Sequence, residues 1–277
     1  MLHHRNRYAK LESYLIWYIA QEWNKMGFET EFISGIPPKN HEIDILVPHI
    51  DATRTPPKYI RFIDRHAEVF NRKITDVSKR HISTNLVSKD SKDPGPVIVK
   101  TNANYGGLPE FYNQDIAGRI YNKIQAFFRP GMIRHIHPGQ YPVYDHISEV
   151  PSVVWNNKHL IVERFIPERS GELYCIRICH FLGDVVLNNK IYSTSKVIKG
   201  SNVTHVEPAE IPESLLQLRM RMGFDYGKFD YVIHQGELHI LDANKTPGAV
   251  KNIELNTRIA QKLANGIFNF VDHRVSE

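Results

Sequence analysis

The sequence predicts an α+β protein of mixed α/β type, with a small N-terminal α/β lobe followed by strand-rich lobes that share an interface. Three observations carry that prediction. Helical and strand-like patterns alternate from Tyr8 to Phe70, as they do where helices cover a parallel sheet. From Lys158 onward, apolar runs of strand length follow one another. The chain of 277 residues is long for one small module and suits two or three compact lobes.

Taken in order, Tyr8 to Met26 reads as a helix, because Tyr8, Leu11, Leu15, Tyr18 and Ile19 recur at helical spacing and Gly27 is a natural stop. Phe28 to Ser34 and Ile43 to Val47 read as short strands, and the proline pairs Pro37-Pro38 and Pro56-Pro57 punctuate loops. Lys58 to Arg65 reads as a second helix and Glu68 to Phe70 as a strand. Val97 to Lys100 is an apolar strand ending in a lysine. Asn102 to Glu110 is a loop, Gln114 to Phe128 a helix or irregular connection, and Pro130 to Pro151 is rich in proline, glycine and histidine. Strands are expected at His159 to Glu163, Leu173 to Phe181 and Asp184 to Asn188, then a helix at Ile211 to Met222. Phe229 to His234 and Glu237 to Leu241 form a hairpin about Gln235-Gly236. A closing helix, Ile253 to Val271, places Ile259, Leu263, Ile267 and Phe270 on one side. Lobe boundaries are expected at 1–74, 75–162 and 163–277.

Composition narrows the function. An apolar fraction of 42% and a charged fraction of 23% are those of an ordinary globular chain. No run approaches the ~18 apolar residues of a membrane helix, and the polar, basic start has no apolar run of signal-peptide type behind it. The expectation is a cytoplasmic protein with no membrane partner. Two cysteines, Cys175 and Cys179, do not make a disulfide framework; four residues apart in a strand they share a face but lie too far apart to bridge. The net charge of +5 is dispersed, without a basic block or a basic-aromatic recognition motif. That argues against nucleic acid and suits a small anionic substrate.

Four stretches carry chemistry. In Gly227 to Gly248, Asp242 and Asn244 stand two apart at a strand end, so both side chains point to one face. An acid beside an amide is an oxygen-only site suited to magnesium. Lys228 and Asp230 form the same spacing on the partner strand. A two-residue loop at Gln235-Gly236 pairs Asp230 with Leu241, on the wrong side; a three-residue loop or a bulge brings it opposite Asp242. We expect the odd-numbered loop. An ordinary surface hairpin with charged ends has the same pattern.

The second stretch is Gly95 to Lys100 with Asn104-Tyr105-Gly106-Gly107. A strand-end ammonium meets phosphate oxygens as a point charge, and a glycine pair lets backbone N–H groups come close. In the third, Leu160 to Glu168, a strand runs into a proline-marked turn that offers backbone groups to an adenine edge, with Glu163, Glu168 or Glu172 as acceptors. The fourth is Tyr174 to His180, in which Arg177 lies among apolar neighbours. A half-buried arginine needs a partner, and a phosphate, a substrate carboxylate or a structural acid all serve. His135-Ile136-His137 has a metal-pair spacing but no third ligand at a convincing distance, and Trp17, Trp23 and Trp155 read as packing residues.

In this order and spacing the four stretches resemble the ATP-grasp superfamily, in its glutamate-ligase-like, carboxylate-amine ligase branch, from about Val77 to Phe270. Ile240 to Gly248 is similar to the family's acid-x-Asn-x-x-Pro-Gly metal strand, with Asp242 where Glu is commoner. Val99-Lys100 resembles the strand lysine on ATP phosphates, Lys79 the earlier phosphate lysine, Glu163 the hinge acid near adenine, and Arg177 the arginine of the Asp-x-Arg-type strand. The N-terminal lobe departs from the family by starting almost at once with a helix, which leaves Met1 to His4 for an opening strand.

The resemblance implies a nucleotide clamped between two antiparallel-sheet lobes. ATP and Mg²⁺ are then the cofactors: Lys79, Lys100, Gly106 and Gly107 belong at the phosphates, Asp230, Asp242 and Asn244 at the metal, and Arg177 and Lys228 at the reacting groups. It also implies that the γ-phosphoryl goes to a carboxylate, whose acyl-phosphate an amine then attacks, with the loop Asn102 to Pro109 as a lid. The acceptor is a small molecule or a peptide, and homodimers are common among look-alikes. Two rivals are an ATP-grasp kinase acting on a hydroxyl of a polyanion or polyol, and a non-catalytic nucleotide-binding protein.

Overall fold

The computed structural model describes residues 1–3, 10–38, 41–92, 94–112, 120 and 133–271. Apart from Ile120, the expected element Gln114 to Phe128 lies outside them. So do Tyr8 and Ala9 of the expected first helix, whose described part is a single 3₁₀ turn, Leu11–Ser13, leading into the helix Leu15–Lys25.

That helix forms because Leu15, Ile16, Ile19, Ala20 and Trp23 make one buried face at helical spacing, and it stops where Gly27 takes φ 94°. The same face packs on the closing helix Ile253–Leu263, whose start is capped by the Asn252 side chain accepting from the Leu255 N–H. Trp23 is 2% exposed and donates its indole N–H to the Ala264 carbonyl at 2.9 Å. The first and last helices thus share one core with Tyr226 and Leu182.

The N-terminal strands are each two residues long. β1 (Leu2–His3) lies parallel between β2 (Ile33–Ser34) and β4 (Pro48–His49), and β3 (Ile45–Leu46) pairs parallel with β5 (Glu68–Val69). The opening strand therefore fits within the first four residues. The expected strand at Phe28 is shorter than its apolar run because Thr30 turns back to bond the Asn24 side chain. Helix Pro57–Ile63 covers this lobe with Tyr59, Phe62 and Ile63 buried.

A central antiparallel sheet has the order β7 (Val143–Tyr144), β6 (Val97–Thr101), β8 (Leu160–Arg164). Every residue of β6 is buried. The largest sheet is antiparallel, in the order β12 (His205–Pro208), β11 (Val185–Ser193), β10 (Leu173–Leu182), β13 (Tyr226–His234), β14 (Glu237–Asn244), with β9 (Glu168–Ser170) on β10. The mixed α/β class and the antiparallel sheets agree with the sequence.

The register of β13 and β14 corrects one expectation. The loop is the two-residue Gln235-Gly236, with His234 opposite Glu237. Both loop residues have positive φ, 53° and 82°, the primed turn whose twist matches the strands. The odd residue is taken up inside β14 instead. Tyr231 faces Ile240, yet Asp230 faces Asp242, so Leu241 is a bulge.

Candidate functional site

The bulge decides where the carboxylates go. It keeps Ile240 in the core beside Tyr231 while turning Asp242, also even-numbered, to the other face, opposite Asp230. There Lys228, Asp230, Asp242 and Asn244 line a pocket of about 300 Å³ between the largest sheet and the central one. Lys79 and Lys100 reach the same pocket from the other side.

The charges interlock. Lys79 Nζ lies 2.9 Å from Asp242 Oδ1, and Lys228 Nζ lies 3.0 Å from Asp230. Burial lowers the Lys79 pKa, but Asp242, with Tyr141 and Glu163, outweighs it and holds the pKa above the ordinary lysine value. Burial likewise opposes charge on Lys228, and Asp230 and Asp242 override it, so its pKa is also raised. Burial pushes the Asp230 carboxyl up; Lys228 pulls it back only in part, and Asp242 adds to the rise. Lys100 Nζ sits 2.7 Å from Glu163 Oε2, and Glu163 is 1% exposed.

The donor set fits a hard divalent cation. Asp230 Oδ1 is buried and lies 3.0 Å from Lys228 Nζ, as Asp242 Oδ1 lies 2.9 Å from Lys79 Nζ, so both carboxylates reach the pocket paired with lysines. Asn244 Oδ1 already accepts from the Thr246 N–H at 2.8 Å and hydroxyl at 3.2 Å, which leaves the two carboxylates as the oxygens turned to the pocket. Among the described residues no three His, Cys, Asp or Glu side chains converge as a complete cage. Magnesium is commonly held by one or two carboxylates plus substrate phosphates, and that is the arrangement these two aspartates permit.

The opposite end of the pocket is apolar. Ile98, Phe165, Ile166, Pro167, Ile176, Val197, Ile198 and Val232 line it, with the 165–167 connection between β8 and β9 forming its rim. An apolar slot at one end and three lysines with two aspartates at the other suit an amphiphilic ligand whose flat base and phosphates are separated.

Several expected residues lie elsewhere. Arg177 is absent from the lining. Its neighbour Ile176 faces the pocket, and strand alternation sends Arg177 the other way, where its Nη2 meets Glu168 Oε1 at 2.9 Å and its Nε meets both oxygens at 3.2–3.3 Å. Glu168 lines the pocket but also accepts from the Ile233 N–H at 2.9 Å. Burial raises its pKa; Arg177 and that N–H outweigh burial and bring it below the usual carboxylate range. Glu163 holds Lys100 from within the protein. Glu172 is exposed in the turn between β9 and β10. Gly106 and Gly107 have φ of 70° and 75°, and a Cβ on Gly106 would meet the Ile136 carbonyl at 2.2 Å. Both seat the segment 134–138, while Asn104 and Tyr105 of the same loop line the pocket. His135 packs on Phe111, and Cys175 and Cys179 are free, buried thiols.

The sequence did not single out Tyr141, Arg164 or Lys196-Val197-Ile198 for this pocket. Tyr141 and the 196–198 loop lie in irregular segments with no periodicity to read. Arg164 stood beside Glu163 in the expected strand, but its facing depends on the turn that follows.

No family model matches the chain, and a search of curated proteins gives no match. Solved structures do match. An ATP-grasp RimK domain protein from Sphaerobacter thermophilus superposes with a TM-score of 0.53, over 98% of this chain and 99% of that one, at 10% identity. The ATP-grasp ligase PsnB, in complex with a minimal precursor, gives 0.51 over 92% and 94%, at 10% identity. The chain has the ATP-grasp fold. A RiPP-associated ATP-grasp ligase from Chryseobacterium gregarium, in complex with ADP and a leader and core peptide, gives 0.50 over 99% and 98%, at 12% identity. The two antiparallel sheets that flank the pocket are thus the sheets of an ATP-grasp fold. No helix among the described residues is long and apolar enough to cross a membrane.

Proposed function

We propose that this chain is a ligase that uses Mg-ATP to activate an acceptor carboxylate as an acyl-phosphate for attack by an amine, with release of ADP and phosphate. The observation that carries the reading is the convergence of Lys79, Lys100, Lys228, Asp230 and Asp242 on one pocket with an apolar far end. Lys79 and Lys100 would neutralise phosphate charge, each already aimed by a carboxylate, Asp242 and Glu163. Lys228 would act at the reacting phosphoryl group, where its raised pKa keeps it cationic. Asp230 and Asp242 would hold magnesium, which when bound stabilises charge on the transferred phosphoryl oxygens. Asn244 would serve through the Thr246 turn that it braces. The loop 102–109, with Asn104 and Tyr105 on the pocket, would exclude water that otherwise hydrolyses an acyl-phosphate.

The same reading divides the chain at 1–74, 75–162 and 163–277. It takes the acceptor as a small molecule or a peptide; PsnB and the Chryseobacterium ligase, whose structures hold precursor, leader and core peptides, support the peptide option. Two buried free thiols suit a reducing cytoplasm.

The test is magnesium-dependent ATP turnover in the wild type and in the double variant Asp242→Ala, Asn244→Ala. We expect turnover in the first and none in the second; turnover that survives the pair sinks the site. Hydroxylamine added to turnover mixtures should yield a hydroxamate. A phosphorylated product without free phosphate would make the protein a kinase instead.

A further inference from the structure

The loop that follows β14 is fastened to the N-terminal lobe. The Leu15 N–H donates to the Pro247 carbonyl at 2.9 Å, the Ala249 N–H to the Ser13 carbonyl at 2.8 Å, and Lys245 Nζ to Thr55 Oγ1 at 2.6 Å. One further contact contains a chemical choice. Thr246 is buried, and its Oγ1 lies 3.2 Å from Asn244 Oδ1 and 3.2 Å from Asp51 Oδ1. Asp51 follows β4, is buried, and accepts from the Tyr14 hydroxyl at 2.5 Å through its other oxygen.

A hydroxyl carries one proton, and both contacts are longer than the ~2.7–2.8 Å of a well-made O–H···O bond, so the two acceptors compete for it. A hydrogen bond to a carboxylate is roughly twice as strong as one to a neutral amide. Asp51 also raises the pKa of nearby Lys245 against burial, which is the action of a negative charge. The proton therefore goes to Asp51. Asn244 Oδ1 then keeps only the Thr246 N–H at 2.8 Å, and its second lone pair is left for the pocket that Asn244 lines. Without a carboxylate at position 51 the proton turns to Asn244 and uses that lone pair up.

We propose that Asp51 is a positioning residue for the cation site: by holding the Thr246 hydroxyl proton it keeps Asn244 Oδ1 open as an oxygen ligand beside Asp230 and Asp242. This rests on the ligase reading and adds to it a control from a distance. Among the described residues none of 1–74 lines the nucleotide pocket, yet the N-terminal lobe sets how tightly the nucleotide's magnesium is held.

The test is a binding measurement and needs no turnover. ADP is titrated against the full chain by calorimetry, once with magnesium and once with EDTA in its place. The proteins are the wild type, Asp51→Asn, Thr246→Val, Thr246→Ser, and Asp51→Asn combined with Thr246→Val. Asp51→Asn should weaken ADP about tenfold with magnesium, the scale on which the hydrogen-bond partners of metal ligands act. With EDTA it should bind as the wild type does, because Lys79, Lys100 and the apolar slot are untouched. Thr246→Val removes the contested proton, so it should bind Mg-ADP like the wild type and, in the combined variant, restore what Asp51→Asn lost. Thr246→Ser should match the wild type. The proposal is overturned if Asp51→Asn binds Mg-ADP as tightly as the wild type, if its loss is as large in EDTA, or if Thr246→Val alone weakens Mg-ADP tenfold. Should Asp51→Asn fail to fold, the Thr246→Val arm decides by itself. A wild type that binds ADP no better with magnesium than with EDTA brings down the metal site and the ligase reading together with this proposal; a wild type that prefers magnesium, with variants behaving otherwise than stated, overturns the proposal alone.

Discussion

Two clusters of acids and bases sit on the largest sheet, and they differ in what is left over. At Glu168, protein groups use both carboxylate oxygens: the Arg177 fork, the Ile233 N–H and, at 3.4 Å, Lys190. Its pKa falls. At Asp230, burial and the second carboxylate of Asp242 outweigh the Lys228 ammonium 3.0 Å away, and the pKa rises. A cluster whose charges are fully matched is architecture; one in which two carboxylates raise each other's affinity for positive charge beside a cavity has capacity for a cation from outside.

The largest effect should come from Asp230→Asn. It keeps the shape and removes the charge, so magnesium-dependent turnover should fall by about 10²–10³, the scale of losing one electrostatic contact to a reacting group. Retained turnover would erase the contrast. Glu168→Gln should show the other side of it, with nucleotide binding kept but stability reduced by about 3 kcal/mol, because Arg177 loses its charge partner. A lowered urea midpoint at constant slope measures this, and an unchanged midpoint would break the comparison.

Lys245 sharpens it further. This buried ammonium has Asp51, Asp76 and Glu110 around it at a distance and no carboxylate in contact among the described ion pairs. Burial lowers its pKa from 10.5 to about 8 against the pull of those acids. The unfolded chain therefore holds more protons between pH 8 and 10.5, and stability should rise with pH across that window, by about 2–3 kcal/mol. Urea unfolding from pH 7.5 to 10.5 should show the rise, and Lys245→Met should flatten it. The smallest effect belongs to Glu172→Ala: exposed in a turn, it should leave stability within about 0.5 kcal/mol and activity unchanged.

The sequence made the two ends of the pocket legible to different degrees. Lys100, Asp242 and Asn244 could be read because strand-end position and period-two spacing fix which way a side chain points. Lys79 came only through the family resemblance, since nothing local marks a lysine in a four-residue helix. Arg177 was misplaced because alternation gives two phases, and only the pairing with β13 selects between them. Glu163 was read at the hinge with adenine; its partner Lys100 is 63 residues away in the chain, and such a pair exists only once β6 and β8 are laid side by side. The small N-terminal strands follow the alternation of apolar runs, but their two-residue lengths are set by tertiary contacts that no window of sequence contains.

The surplus residue at Leu241 has a consequence for how this hairpin tolerates change. Up to Ile240 the strand alternates in step with the core, and past Leu241 it alternates in step with the pocket. Leu241 itself turns its carbonyl toward Lys100 Nζ, at 3.5 Å. Length changes by pairs of residues at the Gln235-Gly236 tip therefore leave both halves in phase. A change by one sets the facing of Ile240 against that of Asp242, so one backbone irregularity makes turn length a constraint on where a carboxylate points six residues, or about 20 Å at strand rise, away.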